Sequence, residues 1–151
     1  MKIERSKNPI LFFSQNEKKQ IVAAVQEAEK HTSGEIRVHL ERKAGADIIG
    51  HARRQFERLG MTQTENRNGV LLFMGVKSRR FAILGDQGIN EKVPAGFWDE
   101  MVERMVMHFK QDRFADGISE AVLAIGRKLG EYFPYERSDI NELPDEISYS
   151  L

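Results

Sequence analysis

An unbroken apolar run from Val70 to Val76 is parted from a second, Phe81 to Leu84, by the short polar break Lys77-Ser78-Arg79-Arg80. Nothing else in the chain constrains the fold as tightly. The first run lacks the alternation of a strand with one wet face, so it reads as a strand covered on both faces. So short a break permits only an antiparallel return, because parallel neighbours need a long crossover. The second run stops at Gly85-Asp86-Gln87-Gly88, where backbone freedom and a carboxylate coincide, as in a tight turn or a cation loop.

Upstream, Ser14-Gln15-Asn16-Glu17 has the form of a capping box, and Ile21, Ala24, Val25 and Ala28 follow at helical spacing, with Gly34 beyond the helix end. Glu35 to Glu41 alternates Ile36, Val38 and Leu40 with charged residues and His39, the pattern of a half-covered or edge strand. Asp47 caps a second helix carrying Ile49, Ala52, Phe56 and Leu59, closed by Gly60. Pro94 suits the first position of a third helix with the stripe Trp98, Met101, Val102, Met105 and Phe109. A last helix, capped by Asp116, carries Ile118, Ala121, Val122, Ile125 and Leu129. Strands are expected near 35–41, 69–76 and 80–85, and helices near 15–31, 47–59, 95–110 and 117–132. The crossover makes the first two strands parallel. The economical fold is an α/β one, a small mixed sheet between helical layers. Leu72, Met74, Phe81, Ile83, Trp98, Met105 and Ile125 are expected in its core.

With 151 residues the chain has a one-domain length, a size that buries ~70% of its unfolded surface. The reading is a single domain over 1–151, with a core over about 12–133 and an acidic tail over 134–151, where five acids face one arginine. That tail is either a surface strap or loose. Cationic and acidic side chains balance at 23 each, so no global field draws the chain to nucleic acid or an anionic membrane. The absence of cysteine excludes disulfides, thiolate catalysis and cysteine zinc sites. The apolar patch from Pro9 to Phe13 is too short for a signal peptide or a membrane span. A cytoplasmic location without membrane insertion is the expectation.

Because the third strand runs opposite to the first two, its end lies beside their beginnings. Glu35, Asn68, Asp86 and Asn90 therefore gather at one sheet edge, interleaved with Gly34, Gly69, Gly85 and Gly88. Hard cations take several oxygen ligands, backbone carbonyls included. Those four residues form the candidate metal site, with calcium favoured over magnesium and zinc. The same Asp86 and Asn90 serve equally well as caps of turns and of the third helix. The other edge collects Arg42, Lys43, Lys77, Arg79 and Arg80, read as solvated hairpin tips. His31, His39, His51 and His108 share no metal-ligand spacing and are expected at the surface or its boundary. No nucleophile elbow or dinucleotide fingerprint is present, and no helix is expected directly after Gly88.

Several segments in order are similar to the TPM-domain family, whose members include a thylakoid-lumen acid phosphatase, photosystem repair proteins and many bacterial proteins. They are Ser33-Gly34-Glu35-Ile36-Arg37-Val38, Asn68-Gly69-Val70-Leu71-Leu72, the strand ending Gly85-Asp86-Gln87-Gly88-Ile89, and Phe109 with Phe114-Ala115-Asp116-Gly117-Ile118. The resemblance implies a Rossmann-like three-layer α/β/α sandwich, divalent-cation binding in some members and phosphatase activity in one branch. Pro94-Ala95 stands where members commonly carry a carboxylate at the start of the third helix. The functional expectation is a non-catalytic, cation-binding domain acting in protein interaction, assembly or regulation, with a protein partner that is membrane-associated in some settings. The alternative is a metal-dependent phosphatase or nucleotide phosphohydrolase.

Overall fold

A computed structural model of the chain describes residues 5–135 and 145–150. Along them run α1 (Pro9–Phe12), α2 (Gln15–Glu29), β1 (Glu35–Glu41), α3 (Ile48–Arg58), β2 (Gly69–Gly75), β3 (Arg80–Gly85), α4 (Gln87–Asn90), α5 (Phe97–Phe109), α6 (Phe114–Tyr132) and β4 (Ser148–Ser150). The capping box holds: Glu17 N–H donates to Ser14 Oγ at 3.1 Å, and Ser14 N–H donates to Glu17 Oε1 at 3.0 Å. Asp47 Oδ1 accepts from Gly50 N–H at 3.0 Å and starts α3.

The sheet order is β3-β2-β1-β4. β1 and β2 pair in parallel from Glu35 opposite Gly69, and β3 returns antiparallel to β2 with Leu72 opposite Ile83. β2 is buried on both faces along its whole length, as an all-apolar strand must be. On one face Ile36, Val38, Leu40, Val70, Leu72, Met74 and Ile83 meet the inward stripes of α2, α5 and α6. On the other, Leu71, Phe73 and Ala82 meet Ala52 and Phe56 of α3. The layers are therefore α/β/α.

Several expectations need correction. β1 is an interior strand, not an edge, because Ser148–Ser150 joins its far side in parallel, with Leu40 opposite Tyr149. That pairing covers His39, which is wholly buried rather than superficial. Part of the acidic tail thus completes the sheet, while residues 136–144 lie outside the described part. A single helical turn, α4, does follow Gly85-Asp86 directly. Helix α5 begins only at Phe97, since Gly96 sits in the left-handed region (φ 81°) and separates Pro94 from the helix. On α3 Gln55 faces inward and Ile49 outward, because Gln55 meets a buried carboxylate of β1. Asp116 lies inside the first turn of α6 rather than at its cap. Phe81 and Trp98 are half-buried, while the other five expected core residues are buried.

Candidate functional site

At the beginnings of β1 and β2, Glu35 N–H turns toward β2 and donates to Asn68 O at 3.3 Å. The next amide, Ile36 N–H, therefore points to the opposite edge. β4 pairs with β1 only from His39 onward, so among the described residues no strand meets that amide. Glu29 from the end of α2 supplies the acceptor instead, its Oε2 lying 3.1 Å from Ile36 N. Asp145, just before β4, and Glu35 both come within hydrogen-bonding contact of the Glu29 carboxyl. Burial above all, then the Asp145 and Glu35 carboxyls, raises Glu29 to about 10, against the opposing pull of the Ile36 amide. Three carboxyl groups from distant parts of the sequence thus share one corner of the sheet. Carboxyls this close hold protons between them or require a cation to stay charged together.

Asp86 and Asn90 sit on the far side of β2, while Asn68 lies between, its carbonyl bonded to the Glu35 amide. Asp86 forms a two-pronged pair with Arg67, at 2.6 Å from Nε to Oδ2 and 2.8 Å from Nη2 to Oδ1. Its Oδ1 also accepts from Gln87 N–H at 2.8 Å. Asn90 donates to Gly85 O at 2.8 Å and accepts from Trp98 Nε1 at 2.9 Å. The glycines of this loop answer to packing. A Cβ on Gly85 would stand 2.5 Å from the Trp98 ring, and one on Gly88 would stand 2.3 Å from Asn66 O. Asn68 is buried. The strand order therefore separates Glu35 from Asp86 by two strand spacings, roughly 10 Å. Among the described residues, no three His, Asp or Glu side chains stand in metal-binding geometry.

Two of these participants escape a reading of the sequence. Glu29 leaves one faint signal, an acid in the last turn of a helix, where the dipole disfavours it. Asp145 leaves none, because only the docking of β4 brings it to Glu29.

At the opposite end of the sheet, Arg79 does not wave free. Its guanidinium lies over the rings of Phe12 (5.1 Å) and Phe114 (5.0 Å), while Arg80 Nη1 donates to Ala46 O at 3.1 Å. Arg5 also packs over Phe12 and Phe114 and pairs with Glu17 at 2.9 Å. Beneath α3 runs a buried polar layer. Ser148 Oγ and Ser150 Oγ lie 2.7 and 3.0 Å from the two ring nitrogens of His39, and Gln55 donates to Glu41 Oε1 at 2.9 Å. His51 Nε2 comes within 3.2 Å of Glu41 Oε2.

A mixed sheet with α3 on one face and α2, α5 and α6 on the other places the chain among the three-layer α/β/α sandwiches. The profile of the TPM domain matches residues 9–128, and the chain belongs to the TPM-domain family. Among solved structures it resembles the BA42 protein of the psychrophilic bacterium Bizionia argentinensis, at 42% identity and a TM-score of 0.86, over 92% of this chain and 96% of that one. The N-terminal domain of a protein from P. gingivalis shares the fold at 21% identity and a TM-score of 0.66, over 83% of this chain and 82% of that one. A Corynebacterium glutamicum N-terminal domain shares it at 15% identity and 0.57, over 89% and 79%. No curated protein matches the chain. No described helix is long and apolar enough to cross a membrane.

Proposed function

We propose that this TPM domain is a non-catalytic cytoplasmic binding module that takes a divalent cation, calcium ahead of magnesium, and acts through a protein partner. The observation that carries the reading is the carboxyl corner of Glu29, Glu35 and Asp145. Its donors are all oxygen, the chemistry a hard cation selects. A cation entering there displaces the proton of the Glu29 carboxyl and offsets the repulsion among the three acids. Glu29, Glu35 and Asp145 would hold it, while Arg67 and Trp98 keep Asp86 and Asn90 occupied in the turn. Because the Glu29 carboxyl bonds to its two neighbours, ligation requires the side chains to reorient as that proton leaves. Metal-dependent phosphohydrolysis is the second reading, favoured only by the family's phosphatase branch.

Calcium titration followed by amide NMR at neutral pH tests the proposal. Shifts are expected at Glu29, Glu35, Ile36 and Asp145, with proton release that appears as a buffer-dependent heat in calorimetry. Glu29→Gln should abolish both. Shifts confined to Asp86 through Asn90 would move the site to that loop, and no shift at millimolar calcium would end the cation reading. Turnover of p-nitrophenyl phosphate that disappears in Glu29→Gln would make the domain an enzyme.

A further inference from the structure

We propose that the groove between α2 and β4 receives an extended peptide with apolar and acidic residues in turn at every second position, added as a further strand on the outer edge of β4. The groove has a volume of about 540 Å³ and lies between the outward side of α2 (Lys18, Lys19, Val22) and Ile147 and Tyr149. None of its lining residues belongs to the carboxyl corner. Among the described residues β4 ends the sheet, with no strand on its outer side. Ser150 O faces inward, accepting from Arg42 N–H of the β1 side at 3.3 Å. Backbone direction alternates along a strand, so both backbone groups of Tyr149 face outward, as does the C=O of Ile147 opposite the inward Ser148 N–H. An incoming strand meets backbone groups at two alternate residues, the contact that strand addition uses.

The side chains set the chemistry of the guest. Ile147 belongs to the main core, and Val22 and Tyr149 are partly buried against it, so they form an apolar floor. Lys18 Nζ lies 5.5 Å from the centre of the Tyr149 ring and Lys19 stands beside it on the rim. The one acid among the lining residues, Glu146, interacts with Arg37. The rim therefore presents net positive charge to the groove. Successive side chains of a strand leave opposite faces, so the apolar residue toward Val22 and Tyr149 and the carboxylate toward the lysines stand two positions apart in the guest. Placing charge complementarity at the rim tunes selection and encounter more than raw affinity.

Two acetylated peptides serve as probes, one repeating valine-serine-glutamate-serine and one repeating valine-serine-lysine-serine, so that valine and the charged residue share a face, each titrated into the full chain by amide NMR. The glutamate peptide should shift Lys18, Val22, Ile147 and Tyr149 and bind about tenfold tighter than its lysine counterpart, equivalent to ~1.4 kcal/mol. The double variant Lys18→Glu, Lys19→Glu keeps its helix, because acids near a helix start are favoured, and should reverse the preference. Tyr149→Pro removes one outward N–H while leaving the inward bonds of β4, a change an edge strand tolerates, and should eliminate binding. Equal binding of both peptides, undisturbed by the lysine reversal, would overturn the proposal. So would binding that survives Tyr149→Pro, shifts elsewhere, or no shift at millimolar peptide. Concentration-dependent broadening at Ile147 and Tyr149 without peptide would instead assign the edge to a second copy of the chain.

Discussion

Around Glu29 and His39, the loss of water drives two titrations in opposite directions. Burial first, then the charges of Arg37 and Arg58, lowers His39 to about 4 from its ordinary 6.5. Folded His39 stays neutral while an unfolded histidine takes up a proton, so its contribution to stability is complete above 6.5 and is lost as pH falls toward 4. Glu29 behaves in the reverse sense. Its raised value makes the folded state hold a proton that an unfolded glutamate has released, so its contribution is complete below 4.5 and is lost as pH rises toward 10. Between 4.5 and 6.5 the two oppose each other. Denaturant melts across this range, with a chelator present, should show wild-type stability declining on the alkaline side. Glu29→Gln should be flat there and keep only the acid limb of His39. An alkaline decline of equal size in both proteins would mean that Glu29 is not the group responsible. Neither residue reveals this behaviour in the sequence. His39 alternates with apolar neighbours like any surface residue of a half-wet strand, and only the distant Ser148 and Ser150 show that its face is covered.

The elements were far more legible than the site. Local chemistry placed β1, β2 and β3 almost to the residue, because apolar runs, hairpin length and strand period are all encoded within a few positions. Caps did the same for α2 and α3. What failed was decided at a distance. β4 has only three residues and no apolar run, so nothing local distinguishes it from tail. Gln55 looks like a surface residue of α3 until Glu41 is found opposite it. The contact between α2 and α6 depends on Gly126, where an added Cβ would fall 2.6 Å from Ala28 Cβ and 2.9 Å from its Cα. Gly126→Ala must therefore push the two helices apart or bend one of them. An overpacked contact of this kind costs ~1–3 kcal/mol. Chemical denaturation should register that loss. A change within ~0.5 kcal/mol, the range of a neutral surface substitution, would show that the helices separate without resistance.

For the molecule as a whole, one local unit stands among contacts that span most of the chain. The β2–β3 hairpin joins neighbours in sequence, whereas α2 packs on α6 and His39 meets Ser148 across 109 residues. Closing so long a loop carries an entropic penalty before any contact repays it, and long-range pairing slows folding. Two amides, one just after β2 and one just after β1, separate the pairing of β1 with β2 from the seating of β4. Val76 N–H reports the β1–β2 pairing through its bond to Glu41 O at 2.7 Å, and Arg42 N–H reports the seating of β4 through Ser150 O. In native hydrogen exchange Arg42 should open by a local route while Val76 waits for global unfolding. In pulse-labelled refolding, protection at Val76 should precede protection at Arg42; simultaneous protection would show a single cooperative step. The parallel seating of β4 thus gives the molecule a clock as well as a shape: its sheet can be whole by sequence and still be unfinished in time.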